Sequence, residues 1–70
     1  MFQRADLVRH SNGTVYVILY TPADDFRLEE TNEPAYAYVS HEDPRSTIWV
    51  RSQTKMEDGR FEKCGVHQSG

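Results

Sequence analysis

Seventy residues with eleven acids against eight bases, a formal charge of −3, make one small domain and argue against bulk phosphate neutralisation on nucleic acid or anionic membrane. A single cysteine, Cys64, excludes an intramolecular disulfide, and no apolar run approaches the ~20 residues of a membrane-spanning helix. Burial must come from the aromatic residues (one Trp, four Tyr and three Phe), because so short a chain draws no more than about 3–5 kcal/mol from its core.

Residues 1–5 are a lead-in. They carry no apolar stretch of signal-peptide type, so a cytoplasmic location is expected. Asp6 to His10 then reads as a short edge strand and Thr14 to Thr21 as a second strand. Between them Asn12-Gly13 is a strong hairpin signal, since both residues accept the positive φ of a type I′ turn. A two-residue turn pairs Arg9 with Tyr16 and Val8 with Val17; a three-residue turn with a bulge exchanges these partners. The second strand is apolar on both faces, the pattern of a central strand in a small curled sheet. The alternative cover for its second face is another subunit, making the chain a monomer or a homodimer.

Thr21-Pro22 ends that strand, because proline cannot donate to the ladder. Residues 23–33 form a long acidic loop, pinned in its middle by Phe26 and Leu28; at this length it is either mobile or functional. Ala35 to Ser40 alternates cleanly, with Tyr36, Tyr38 and Ser40 on one face and Ala35, Ala37 and Val39 on the other. Asp43-Pro44 marks a turn before a fourth strand from Thr47 to Arg51. Ser52 caps one helical turn ending at Met56. Gly59 reverses the chain into a fifth strand, Arg60 to Cys64, anchored by Phe61. Residues 65–70 are expected to fray. The expected fold is all-β: a five-stranded antiparallel SH3-like barrel or roll with one short helical turn.

Leu7-Val8-Arg9-His10, Gly13, Tyr16-Val17-Ile18-Leu19, Tyr36-Ala37-Tyr38 and Ile48-Trp49-Val50-Arg51 followed by Met56 resemble a group of short bacterial and phage proteins. That group is known only as a domain of unknown function. Its most specific piece is a Trp-Val-Arg motif. The chain departs from the group's pattern at Ser52, where the group has proline, and in its acidic loop. The resemblance implies a small β domain of phage or prophage origin and assigns no activity.

Three clusters are candidate sites. Tyr16, Tyr20, Tyr36, Tyr38 and Trp49 with Arg9 and Arg51 form an aromatic and cationic platform for single-stranded nucleic acid or a peptide. The same rings equally serve as the core of a small barrel, with Arg stems lying over them. Asp24, Asp25, Glu29 and Glu30 in the long loop either mimic phosphate on a basic partner or simply keep the loop solvated. His10, His41, Cys64 and His67 are the soft metal ligands. Cys64 and His67 have the spacing of half a zinc site, but no second close pair completes it, so no metal and no cofactor is expected. A Cys64–His67 nucleophile pair would need an ordered electropositive pocket, which the tail does not promise. The expected function is a non-enzymatic module that binds a protein partner; single-stranded nucleic acid is the alternative, and no membrane is involved.

Overall fold

The computed structural model describes residues 1–67. Five strands, β1 (Asp6–His10), β2 (Val15–Tyr20), β3 (Ala35–Ser40), β4 (Trp49–Ser52) and β5 (Phe61–Val66), form one antiparallel sheet in the order β4-β3-β2-β1-β5. A 3-10 turn, Pro22–Asp24, follows β2, and a single-turn helix, α1 (Gln53–Met56), follows β4. The fold is therefore all-β with one helical turn, but the sheet does not close into a barrel: β4 and β5 remain separate edges. β5 runs through Val66, where fraying was expected from residue 65; the rest of that expected tail, residues 68–70, lies outside the described residues.

The hairpin between β1 and β2 departs from the two-residue turn. Its register pairs Leu7 with Val17, Val8 with Tyr16 and Arg9 with Val15. Ser11, Asn12 and Gly13 form a three-residue loop, closed by His10 N–H donating to the Thr14 carbonyl at 2.8 Å and Gly13 N–H donating to His10 at 2.8 Å. Only Gly13, at φ +96°, adopts the left-handed region here. Asn12 is used differently: its Oδ1 accepts the Thr14 N–H at 2.9 Å, and its own N–H donates to His10 Nδ1 at 3.1 Å. One added loop residue flips β2 relative to β1, because side chains alternate faces along a strand. Tyr16 and Ile18 thereby join Val8 on one face, and Arg9 joins Val15 and Val17 on the other.

The first of these faces is concave and holds the core. Val8, Ile18, Tyr36, Tyr38, Met56 and Phe61 pack together, with Phe2 and Tyr16 against them. Tyr16, Tyr38 and Phe61 contact one another edge-to-face, with centroids 5.0, 5.6 and 6.1 Å apart, the arrangement that the ring quadrupole favours. On the second face Val17, Ala35, Ala37 and Val39 are also buried within the single chain.

α1 seats the buried side chain of Met56. The Ser52 hydroxyl caps it by accepting the Lys55 N–H at 3.4 Å, which satisfies a backbone donor otherwise orphaned at a helix start. Tyr36 ties this helix to the lead-in. Its hydroxyl accepts the Phe2 N–H at 3.1 Å and donates to Glu57 Oε2 at 2.6 Å. Burial and the Glu57 carboxylate push its pKa up to about 12.

The long acidic loop is folded. Thr21 and Asp24 make a capping box around the 3-10 turn. Phe26 stacks on Tyr20 at 5.7 Å, the role expected of it. Residues 27–34 form a small excursion of their own, held by an Arg27–Pro34 bridge and by Leu28 N–H donating to Glu33 at 2.9 Å.

Candidate binding site

β4 is an edge strand of an unusual kind. Its neighbour on one side is β3, paired as Tyr36 with Arg51, Ala37 with Val50 and Tyr38 with Trp49. Ala35 with Ser52 is the next pair in that register, and one pair beyond it Gln53 N–H donates to the Pro34 carbonyl at 2.8 Å, which makes Gln53–Pro34 a hydrogen-bonded pair. Hydrogen-bonded pairs alternate in an antiparallel ladder. Arg51 and Trp49 therefore direct their backbone groups at β3, and the N–H and C=O of Val50 point outward along the free edge. Around that edge three consecutive apolar side chains are exposed, Ile48 at 60%, Trp49 at 51% and Val50 at 49%. Edge strands are normally blunted by charge, proline or a bulge. β5, the opposite edge, carries such protection: Glu62 and Lys63 are exposed, and a register shift faces it between Leu7 and Val8.

Two depressions flank β4. A groove of about 360 Å³ runs beside it between the loop residues Leu28 and Glu33 and the helix residue Lys55. A smaller cleft of about 210 Å³ opens on the concave face, lined by His10, Asn12, Tyr16, Tyr38, Trp49, Arg51 and Phe61. Both are at or below the low end of the ~300–1,000 Å³ typical of small-molecule sites. Their size suits single side chains of a longer partner.

Within the cleft Arg51 is held from two sides. Its Nε donates to the Tyr38 hydroxyl at 3.1 Å, and its Cζ lies 5.4 Å from the centroid of the Phe61 ring. His10 stands edge-on to the same ring at 4.9 Å. Because His10 Nδ1 accepts the Asn12 N–H, the neutral ring carries its proton on Nε2. The cleft therefore presents donors and cationic charge between aromatic walls.

The structure divides the expected platform. Tyr16, Tyr38, Trp49 and Arg51 meet in the cleft. Tyr36 and Tyr20 do not: Tyr36 is fully buried at 0% exposure beneath α1, and Tyr20 stacks on Phe26 instead. Arg9 does not either. The three-residue turn carries it to the opposite face, opposite Val15 and Glu62. Phe61 and His10 complete the cleft instead, and the face assignment from a two-residue turn hid His10. Of the loop acids, Asp24 is occupied by the capping box and lies 3.9 Å from Arg4, and Asp25 binds Arg27 at 2.8 Å. Glu29 and Glu30 are exposed. His41 and His67 approach with centroids 5.9 Å apart, but no group of three or more metal-ligating side chains forms among the described residues. Cys64 is an exposed thiol on β5. Among the described residues no helix is long and apolar enough to cross a membrane.

No family model, curated protein or solved structure matches this chain.

Proposed function

We propose that this chain is a non-enzymatic binding module that takes an extended segment of a partner protein along the free edge of β4. The carrying observation is the exposed run Ile48-Trp49-Val50 leading into β4, whose outward backbone groups are unpaired among the described residues. An added strand satisfies those groups and draws specificity from alternate side chains, the mode called β-augmentation. The side chains of such a segment meet the concave cleft on one face and the side of Val50 on the other. The resemblance of the Trp49-Val50-Arg51 stretch to short bacterial and phage proteins points to a phage or prophage origin and to a host or phage protein as the partner.

The test is affinity capture from a bacterial lysate with wild type, Val50→Pro and Trp49→Ala. Val50→Pro removes an outward N–H that β3 does not use, so the ladder is retained. One partner enriched by wild type and lost with both variants supports the reading; equal recovery with all three refutes it. Charge reversal at the exposed Glu29 and Glu30 should leave capture unchanged, because neither touches β4 or its cleft.

The convergence of Tyr16, Trp49 and Arg51 in one cleft favours a second reading, stacking of a single-stranded nucleic acid. Quenching of Trp49 fluorescence by oligothymidylate at low salt would support it. The charge of −3 weighs against it, since such binding rests on released counterions.

A further inference from the structure

We propose that the Arg51 guanidinium is a receptor for one carboxylate, and that the strand accepted by β4 presents an acidic side chain opposite Arg51. This rests on the reading of β4 as the docking edge and adds the chemistry of its occupant. Four of the chain's cations have carboxylate partners: Arg4 with Asp24, Arg27 with Asp25, Arg60 with Asp58, and Lys63 with Asp6. Among the described residues Arg9, Arg45, Lys55 and Arg51 have none, and of these Arg51 alone is half-buried, although acids outnumber bases in the chain. Its Nε is fixed by Tyr38 and its plane rests near Phe61. The terminal nitrogens remain, and their fork matches a carboxylate bidentately. No acid lines the cleft. A cation held over apolar rings is poorly screened, so an incoming anion pairs with it more strongly than with a surface lysine.

Strand geometry supplies the position. Arg51 and Trp49 point to the concave face. A residue directly opposite Arg51 on an added strand points to that same face, with Cβ atoms about 4.5–5.5 Å apart. A glutamate there reaches the guanidinium, while its sequence neighbours fall on the side of Val50, where apolar residues are favoured. A single carboxylate in an otherwise neutral strand avoids the repulsion that Glu33, in the groove beside β4, imposes on a polyanion. This favours an acidic peptide over a nucleic acid.

The experiment is a ¹⁵N NMR titration of the full chain with two blocked pentapeptides, acetyl-Thr-Val-Glu-Val-Thr-amide and its glutamine counterpart. The glutamate peptide is expected to shift the Val50 amide and the Arg51 Nε–H and to bind about fivefold or more tighter than the glutamine peptide. In Arg51→Gln that preference disappears while the Val50 shift remains. Equal affinity of the two peptides for wild type overturns the carboxylate receptor and leaves the edge reading standing. No Val50 shift with either peptide overturns the edge reading; sodium propionate alone then decides the receptor, by moving or not moving the Arg51 Nε–H. Oligothymidylate moving the same signals at lower concentration than the glutamate peptide overturns the acidic peptide in favour of nucleic acid.

Discussion

Replacing Tyr36 by Phe removes one oxygen from the best-connected point of the core. The hydroxyl accepts from Phe2 N–H at 3.1 Å and donates to Glu57 at 2.6 Å, and Gln53 Nε2 steadies the same carboxylate oxygen at 3.0 Å. A hydrogen bond to a charged group contributes roughly 1.5–3 kcal/mol, but Glu57 is exposed, so about 1–2 kcal/mol is expected here. Against a total of roughly 3.5–10 kcal/mol for a chain of this length, that is a large loss, and it lowers Tm by about 5–15 °C. The pH dependence gives a second signature. The folded-state pKa of Tyr36 is raised to about 12 from 10.0. The stabilisation is therefore fully present below pH 10 and is lost as pH rises towards 12. Urea denaturation followed by circular dichroism at pH 7, 10 and 11.5 should show the gap between wild type and Tyr36→Phe narrowing at the highest pH. A gap below about 0.5 kcal/mol at pH 7, inside the usual range for surface substitutions, or one unchanged across the series, refutes this account of the lead-in and helix docking.

Two further perturbations separate core from turn. Met56→Ala empties a fully buried position and should cost about 2–5 kcal/mol, enough to populate the unfolded chain visibly in a thermal melt; a Tm within 3 °C of wild type, far less than such a cost produces at ~4–8 °C per kcal/mol, would show that α1 is not part of the core. Gly13→Ala meets no atom within 4 Å, so its cost is backbone strain alone at φ +96°, about 1–2 kcal/mol; an unchanged urea midpoint would show that residue 13 is not held at positive φ.

Much of the fold was legible because local chemistry and tertiary packing agree. Clean alternation in residues 35–40, Pro22, Asp43-Pro44, the Ser52 cap and Gly59 each place an element boundary within a residue or two of the observed one. The hairpin register was not legible. Asn12-Gly13 satisfies either loop length locally, and the choice was made by burial of Tyr16 and Ile18 beside Val8, a tertiary effect. That choice removed Arg9 from the expected platform. Tyr36 left it for a related reason: Met56 and Phe2 cover that end of the concave face, and no sequence period announces which tyrosine lies beneath a one-turn helix. The fourth strand was expected from Thr47 but begins at Trp49, so Ile48 is exposed next to the edge. Closure was expected because both faces of β2 are apolar. The small residues Ala35 and Ala37, with Val17 and Val39, bury the second face without it, and β4 stays free.

Amide hydrogen exchange of the isolated chain at low concentration tests that freedom most directly. Trp49 and Arg51, bonded to β3, should be protected, and Val50 between them should exchange at a rate near that of an unstructured amide. Slow, concentration-independent exchange at Val50 would mean that something in the chain already covers the edge, and the docking site would have to be sought elsewhere.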